Sequence, residues 1–486
     1  MQSEILLSFL LLSFANCISK YPVLIIISFD GFRYDFVGKK TPNILALRRE
    51  GTYAPYINNV FPTKTFPNHH SIATGLYTEV HGVMANNFYD PEQQQIIKYG
   101  YEMFHYNEEI VPIWTHNERA ASDRYSGIMM WPGGSFPYQN TYPQYFKEFD
   151  PHFDWNQRVD EVISWIVHPK RPANLIMLYI EEPDSHAHAF GPDSPVIIEL
   201  IKRLDNLTCY LIKKLEENNL TEKVNLIFLS DHGMDSVSPP HFIDITQYLE
   251  PHTYDIAGSS PVLHILPHEG YEEAIYENLT EFSKKQGHFS VFKKDDLLTR
   301  WHFKNNPRTP PIFLLADDGY GFQDLAISAE YLSKKFNFKV SNKSKFGVHG
   351  YDNLDLKMKP YFVARGPKIK KNKMVIPFWT VDLFALFCEI LEVPQLPSNG
   401  SLLRVHDVLV SRPYFVQVFP KFVLVAGGIV MTLILSVVFI AAVAYYFIRR
   451  QQNMTTAAAL NKRFPQCYNN SIIEAQRLLD EEASLI

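Results

Sequence analysis

The sequence predicts an α/β protein in which a central, mostly parallel sheet lies between helices, with inserted loops and one C-terminal transmembrane helix. Three observations predict it. Short, nearly continuous apolar runs at Val23 to Phe29, Leu175 to Ile180, Val224 to Leu229 and Ile312 to Ala316 suit strands buried on both faces. Helical patterns alternate with them, most clearly Pro195 to Glu217, where Ile197, Leu200, Ile201, Leu204, Leu207, Leu211 and Leu215 recur at three-to-four spacing. From Phe422 to Ile448 no charged residue occurs, a length that crosses a hydrocarbon core of about 30 Å with some tilt.

The N-terminus runs apolar from Ile5 to Ala15, and small residues at Ala15 and Cys17 could precede a cleavage point. That is the shape of a secretory signal over residues 1–19, although Glu4 replaces the usual basic flank. Residues 20–420 are then expected to form an extracellular body, 421–448 the span and 449–486 a cytoplasmic tail. Arg449-Arg450 with Tyr445 and Tyr446 beside them, together with a cleaved signal, give a single-pass type I protein of the plasma membrane. Sequons at Asn206, Asn219, Asn278, Asn342 and Asn399 agree with a glycosylated exterior. Cys209 and Cys388 fall in the body, as one disulfide or as two buried free thiols. The ending Glu481-Glu-Ala-Ser-Leu-Ile486 resembles a sorting signal read by adaptor proteins.

At 46% hydrophobic and 14% aromatic, the 486 residues can bury a large core, which excludes a disordered chain. A net charge of -6 supplies no polycation for a nucleic-acid backbone, so no nucleic-acid partner is expected. An anionic substrate must therefore be held by local chemistry such as metal ions. No repeat or glycine-serine linker divides the body, and the turn-rich stretch from Pro239 to Pro360 is expected to be an inserted lobe or a set of long loops.

The chemistry is concentrated where strands end. Val23 to Phe29 runs into Asp30-Gly-Phe-Arg33, Leu175 to Ile180 into Glu181-Glu-Pro-Asp184-Ser-His-Ala-His188, and Val224 to Leu229 into Ser230-Asp231-His232-Gly. Ligands of open α/β sheets bind beyond the carboxyl ends of strands, so these motifs should meet on one rim. Asp184 and His188 share a face on one helical turn, and His349 adds a further imidazole in a turn-prone setting. Singly, each motif is more often a turn; together, three aspartates and three histidines are the oxygen and nitrogen ligand supply for two zinc ions. Thr65 stands near the start of an apolar helix, where a threonine is ordinarily an N-cap, yet the same helix N-terminus favours a phosphate and a nearby zinc would lower the hydroxyl pKa.

From about Tyr21 to Pro397 the sequence resembles the ectonucleotide pyrophosphatase/phosphodiesterase family of the alkaline phosphatase superfamily, closest in layout to its single-span fourth and fifth members. The resemblance is carried by Ser28-Phe-Asp-Gly-Phe-Arg33, Pro62-Thr-Lys-Thr-Phe-Pro-Asn-His69, Thr74-Gly-Leu-Tyr77, Trp131-Pro-Gly133, Glu181-Glu-Pro-Asp184, Ser230-Asp-His-Gly-Met234 and His349-Gly-Tyr-Asp352. It implies an alkaline-phosphatase-like sandwich. It also implies one zinc on Asp184, His188 and His349, and a second on Asp30, Asp231, His232 and the nucleophile Thr65. The Phe66 amide and Asn86 would hold a phosphoryl oxygen, and Phe66 and Tyr179 would line the slot beside it.

The sequence departs from the family at Met129-Met130, where nucleotide-cleaving relatives carry an aromatic before the Trp-Pro-Gly motif; His70 stands where tyrosine is common, and several family cysteines are missing. The expected activity is cleavage of small soluble nucleotide-type diesters such as NAD and dinucleoside polyphosphates. A choline-phospholipid diesterase and a surface recognition protein with little activity are the alternatives. The sequence offers no acidic-aromatic cage for a quaternary ammonium, and every ligand position is present.

Overall fold

Val23–Phe29 is buried along its whole length because it lies inside an eight-stranded sheet, flanked by Leu175–Ile180 on one side and Val224–Leu229 on the other. The order across the sheet is Lys373–Met374, Thr52–Ala54, Phe362–Arg365, Val224–Leu229, Val23–Phe29, Leu175–Ile180, Ser126–Met129, Tyr145–Lys147. Phe362–Arg365 pairs antiparallel with both neighbours, while the other pairs are parallel. The expected mostly parallel sheet is therefore present, with one reversed strand. This computed structural model describes residues 18–410 and 414–463, with side chains over 18–410 and 427–455. The signal segment through Cys17, together with Cys467 and the Glu481 to Ile486 ending, lies outside the described residues.

Helix Pro195–Glu217 follows its apolar stripe. Ile197, Leu200, Ile201, Leu204, Leu207, Leu211 and Leu215 are all buried, Pro195 occupies the first turn, and the Ser194 hydroxyl accepts the Ile197 N–H at 3.4 Å. Asp205 is buried on the same helix for a different reason. Its carboxylate accepts the N–H groups of Asn43 and Ile44 at 3.1 and 2.9 Å, which satisfies the open first turn of helix Pro42–Glu50 from outside. Such a cap contributes about 0.5–2 kcal/mol.

The run Ile312–Ala316 departs from expectation. It belongs to a second, antiparallel sheet in the order Tyr254–Ser259, Val262–Pro267, Ile312–Ala316, Phe289–Lys293. Helix Glu272–Gln286 buries Ile275, Leu279 and Phe282 in a separate core with Leu263, Ile265, Phe289 and Leu314. On the opposite face Phe313 packs against Phe61 and Phe303. A strand covered on both faces reads as continuously apolar in either kind of sheet, so the run could not reveal strand direction.

The cysteines also differ from expectation in part. Both are free, but Cys209 is exposed and only Cys388 is buried; burial pushes the Cys388 thiol up to about 12, out of the reactive range. Beyond the body, Tyr414–Arg463 is one helix, and its segment Gly427–Thr455, in which an 18-residue stretch has a mean hydropathy of 2.5, is long and apolar enough to cross a membrane.

Candidate active site

Three neighbouring strands end level with one another. Phe29 pairs with Ile180 and Ser28 with Leu229, so Asp30, the Glu181 to His188 segment and Asp231-His232 leave the sheet at one rim. Hydrogen bonds stitch these exits together. The Asp184 N–H donates to the Asp30 carbonyl at 3.1 Å, Gly31 N–H to Asp231 Oδ1 at 3.2 Å, and Phe32 N–H to the Ser230 hydroxyl at 2.9 Å. Gly31 is required here twice over: its φ is +66°, and a Cβ would lie 2.9 Å from that of Asp184.

Two clusters result. Asp184 opens the short helix Asp184–Phe190 and His188 follows one turn later, its Nε2 3.3 Å from Asp184 Oδ2; His349 Nε2 lies 3.6 Å from Asp184 Oδ1. In the other cluster His232 Nε2 is 3.0 Å from Asp231 Oδ2 and 3.4 Å from Asp30 Oδ1. Within each trio the donor atoms all lie within 4.8 Å of one another. The rings of His232 and His349 stack with centroids 3.6 Å apart, so the two clusters adjoin.

All three imidazoles are aimed by the backbone. Their Nδ1 atoms donate to the carbonyls of Gly347, Thr63 and Gly233, from His188, His349 and His232 at 2.7, 2.9 and 2.8 Å, which leaves each Nε2 lone pair facing its cluster. Gly347 permits this approach, since a Cβ there would lie 2.5 Å from the Ala187 carbonyl oxygen. Asp30 Oδ1, Asp184 Oδ1 and Asp231 Oδ2 are buried without a hydrogen-bond partner. Burial and the charges of Asp231 and Asp184 push the Asp30 carboxyl well above its usual range, whereas Asp231, despite burial, is held below it by His232 and His69. Burial and the neighbouring His232 keep His349 neutral. Orphaned carboxylate oxygens beside imidazole nitrogens aimed by the backbone are a donor set that zinc fits.

Thr65 is the first residue of helix Thr65–Thr74, not its cap. Its hydroxyl donates to His232 Nε2 at 3.2 Å, and the cap position falls on Lys64 without a side-chain bond. The expected capping role is thus replaced by a contact with the Asp30 cluster. Phe66 N–H donates to Asn86 Oδ1 at 3.1 Å, which orients the Asn86 amide at the cleft. Tyr179 is only 8% exposed, and its hydroxyl donates to Asp30 Oδ2 at 2.5 Å. It therefore holds a ligand candidate in place more than it offers an open face.

Several further residues escape sequence reasoning. Phe149 is 49% exposed, lies 6.1 Å from the Tyr179 ring and lines the same cleft of about 800 Å³. It lies just past the short edge strand Tyr145–Lys147, with no periodicity to mark it. Lys64 is buried with Nζ donating to the Ser260 carbonyl at 2.7 Å, and burial lowers its pKa to about 8. Only its place directly before Thr65 could have singled it out. Met129 and Met130 are 0% and 3% exposed, so they belong to the core and leave base stacking to other residues. In the Glu181-Glu182 pair neither carboxylate joins a cluster: Glu181 binds the buried Arg158 at 2.6 Å and Glu182 binds His186 at 2.5 Å.

A family model described as type I phosphodiesterase / nucleotide pyrophosphatase matches residues 24–352. Human ectonucleotide pyrophosphatase/phosphodiesterase family member 5 is 35% identical over 439 residues, covering 87% of this chain and 87% of that protein. Human bis(5'-adenosyl)-triphosphatase ENPP4 is 33% identical over 397 residues, covering 80% and 83% respectively. Among solved structures, an inactive form of murine ENPP5 in complex with AMP superposes with a TM-score of 0.72 at 36% identity, covering 80% of this chain and 100% of that one.

Proposed function

This chain belongs to the type I phosphodiesterase / nucleotide pyrophosphatase family, and on that footing we propose that it is a zinc-dependent ectoenzyme cleaving nucleotide-type diesters through Thr65. Its fold is alkaline-phosphatase-like and it is a hydrolase of phosphodiester bonds. The observation that carries the finer reading is Thr65 Oγ1 standing 3.2 Å from His232 Nε2, at the edge of two adjoining carboxylate-imidazole clusters.

Asp184, His188 and His349 would hold one zinc ion, and Asp30, Asp231 and His232, with Thr65, a second. When bound, the ions supply Lewis-acid stabilisation of negative charge and a lowered hydroxyl pKa. The Thr65 oxygen attacks phosphorus in line: its proton passes to water, the Thr65 Oγ–P bond forms, and the P–O bond to the leaving group breaks with its electron pair on the departing oxygen. A water molecule then cleaves the phosphothreonine and restores the hydroxyl. Asn86, oriented by the Phe66 N–H, turns its amide N–H groups toward a non-bridging oxygen. No arginine lines the cleft among the described residues, which suits the single negative charge of a diester better than the two of a monoester.

NAD and dinucleoside polyphosphates are the proposed substrates, supported by the activity in ENPP4's name and by AMP in the ENPP5 complex. Phe149, which lines the cleft, and the half-buried Phe66 beside Thr65 offer aromatic surface for a base. Side-by-side rates for NAD, diadenosine triphosphate, ATP and glycerophosphocholine should rank the first two highest; a dominant rate on the choline ester would overturn the assignment.

The proposed setting is the plasma membrane in type I orientation, with a glycosylated body outside and the Leu485-Ile486 ending available to cytosolic adaptors. Arg449-Arg450 on the C-terminal flank of the apolar helix supports it. On intact cells an antibody should reach an epitope tag placed after Lys20 and miss one placed after Ile486. The reverse staining refutes the orientation.

A further inference from the structure

The catalytic cleft has a wall for which the displacement at Thr65 has no use. Helix Asp324–Lys335 carries Ile327, Tyr331 and Lys335 at successive four-residue steps, so all three lie along one face. Ile327 is 73% and Tyr331 63% exposed, and both line the cleft that holds Asp184, His188 and His349. Single exposed apolar residues are ordinary on a protein surface. An isoleucine and a tyrosine one turn apart, at the mouth of a cleft whose floor is carboxylate and imidazole, form a surface suited to a flat apolar group.

The helix is also fixed relative to the nucleophile. Lys64, which precedes Thr65, donates from Nζ to the Ser260 carbonyl, and the Ser260 N–H and hydroxyl donate to the Asp324 carboxylate at 2.9 and 2.5 Å. Asp324 is the first residue of the helix. Three hydrogen bonds thus tie this wall to the residue before Thr65.

Direction of departure decides what meets the wall. In-line attack by Thr65 expels the leaving oxygen on the far side of phosphorus, away from Thr65 and its Asp30 cluster. The cleft is lined by the other trio and by this helix, and not by Asp30, Asp231 or Thr65. The leaving half of the substrate is therefore delivered toward Ile327 and Tyr331.

We infer that Tyr331, with Ile327, forms the subsite for the leaving nucleoside of a dinucleotide-type substrate, an inference that rests on Thr65 being the nucleophile. The base stacks on the Tyr331 ring with Ile327 alongside, and Lys335, next on the same face and lining the same cleft, meets the phosphates of the leaving half. With diadenosine triphosphate, AMP becomes esterified to Thr65 as ADP departs with the bonding electron pair; water then releases AMP. ATP expels pyrophosphate, which carries no base to stack.

The test compares the full-length protein with Tyr331→Ala, a substitution at an exposed helix position that alanine tolerates. The variant should raise KM for diadenosine triphosphate about tenfold, the usual worth of one base-aromatic stack, with kcat changed little. KM for ATP should move less than twofold, and Tyr331→Phe should restore the wild-type value. An unchanged KM for diadenosine triphosphate, or equal rises for both substrates, overturns the subsite. Affinities of the Thr65→Ala protein for intact diadenosine triphosphate and for AMP, with and without Tyr331→Ala, give a readout independent of turnover. Weaker binding of the dinucleotide alone upholds the subsite even if the wild-type chain cleaves neither substrate, and unchanged binding overturns it.

Discussion

Replacing Thr65 with alanine is expected to lower kcat on any diester by roughly 10⁴-fold or more, because it deletes the atom that attacks phosphorus. The fold should survive. Thr65 is the first residue of its helix and its hydroxyl makes one hydrogen bond, to His232, so the loss costs about 1 kcal/mol. The two carboxylate-imidazole trios keep all six side chains, and the zinc content should stay near that of the wild type. Thr65→Ser keeps the hydroxyl and loses only the methyl that restricts its rotamer, so a measurable fraction of activity should remain. Rapid acid quenching with a substrate labelled in the attacked phosphate should trap label on the wild-type chain and on Thr65→Ser, but not on Thr65→Ala. Wild-type turnover by Thr65→Ala would exclude the covalent route.

How much of this was legible in the sequence follows from what each feature depends on. The strands Val23–Phe29, Leu175–Ile180 and Val224–Leu229 and the helix Pro195–Glu217 were readable to the residue, since each is a local pattern whose burial is decided by its own composition. The direction of Ile312–Ala316 was not, because burial on both faces erases the alternation that would mark an antiparallel strand. The convergence of the aspartate and histidine motifs followed from strand ends sharing one rim. What escaped depends on partners distant in sequence. Tyr179 lines the cleft and in addition supports the cluster, because Asp30, just past the end of the neighbouring strand, accepts its hydroxyl. Lys64 is drawn to a carbonyl 196 positions away, and Phe149 matters only because the chain after Tyr145–Lys147 returns to the cleft. Glu181 and Glu182 look as ligand-like as Asp184 in the sequence, and only Arg158 and His186 reveal that they are already engaged.

Stripping metal is expected to abolish activity and to lower the melting temperature of the protein by several degrees, with both restored by zinc. Emptied, the site keeps three carboxylates, each with one buried oxygen that has no hydrogen-bond partner, at a cost that folded protein must carry at neutral pH. An ion that binds only the folded state at a thousand times its Kd contributes about 4 kcal/mol. Metal analysis should find close to two zinc ions per chain, one for each trio. Asp184→Ala removes the one carboxylate shared by His188 and His349, leaving two imidazoles that cannot hold a structural-strength site. That variant should retain about one zinc, held by Asp30, Asp231 and His232, and lose turnover despite keeping Thr65. Its contrast with Thr65→Ala separates the two roles, since one loses an ion and the other loses the nucleophile with both ions in place. A fully active preparation holding one zinc or none would refute the two-ion site, and an Asp184→Ala protein with two tightly held zinc ions would refute the assignment of Asp184.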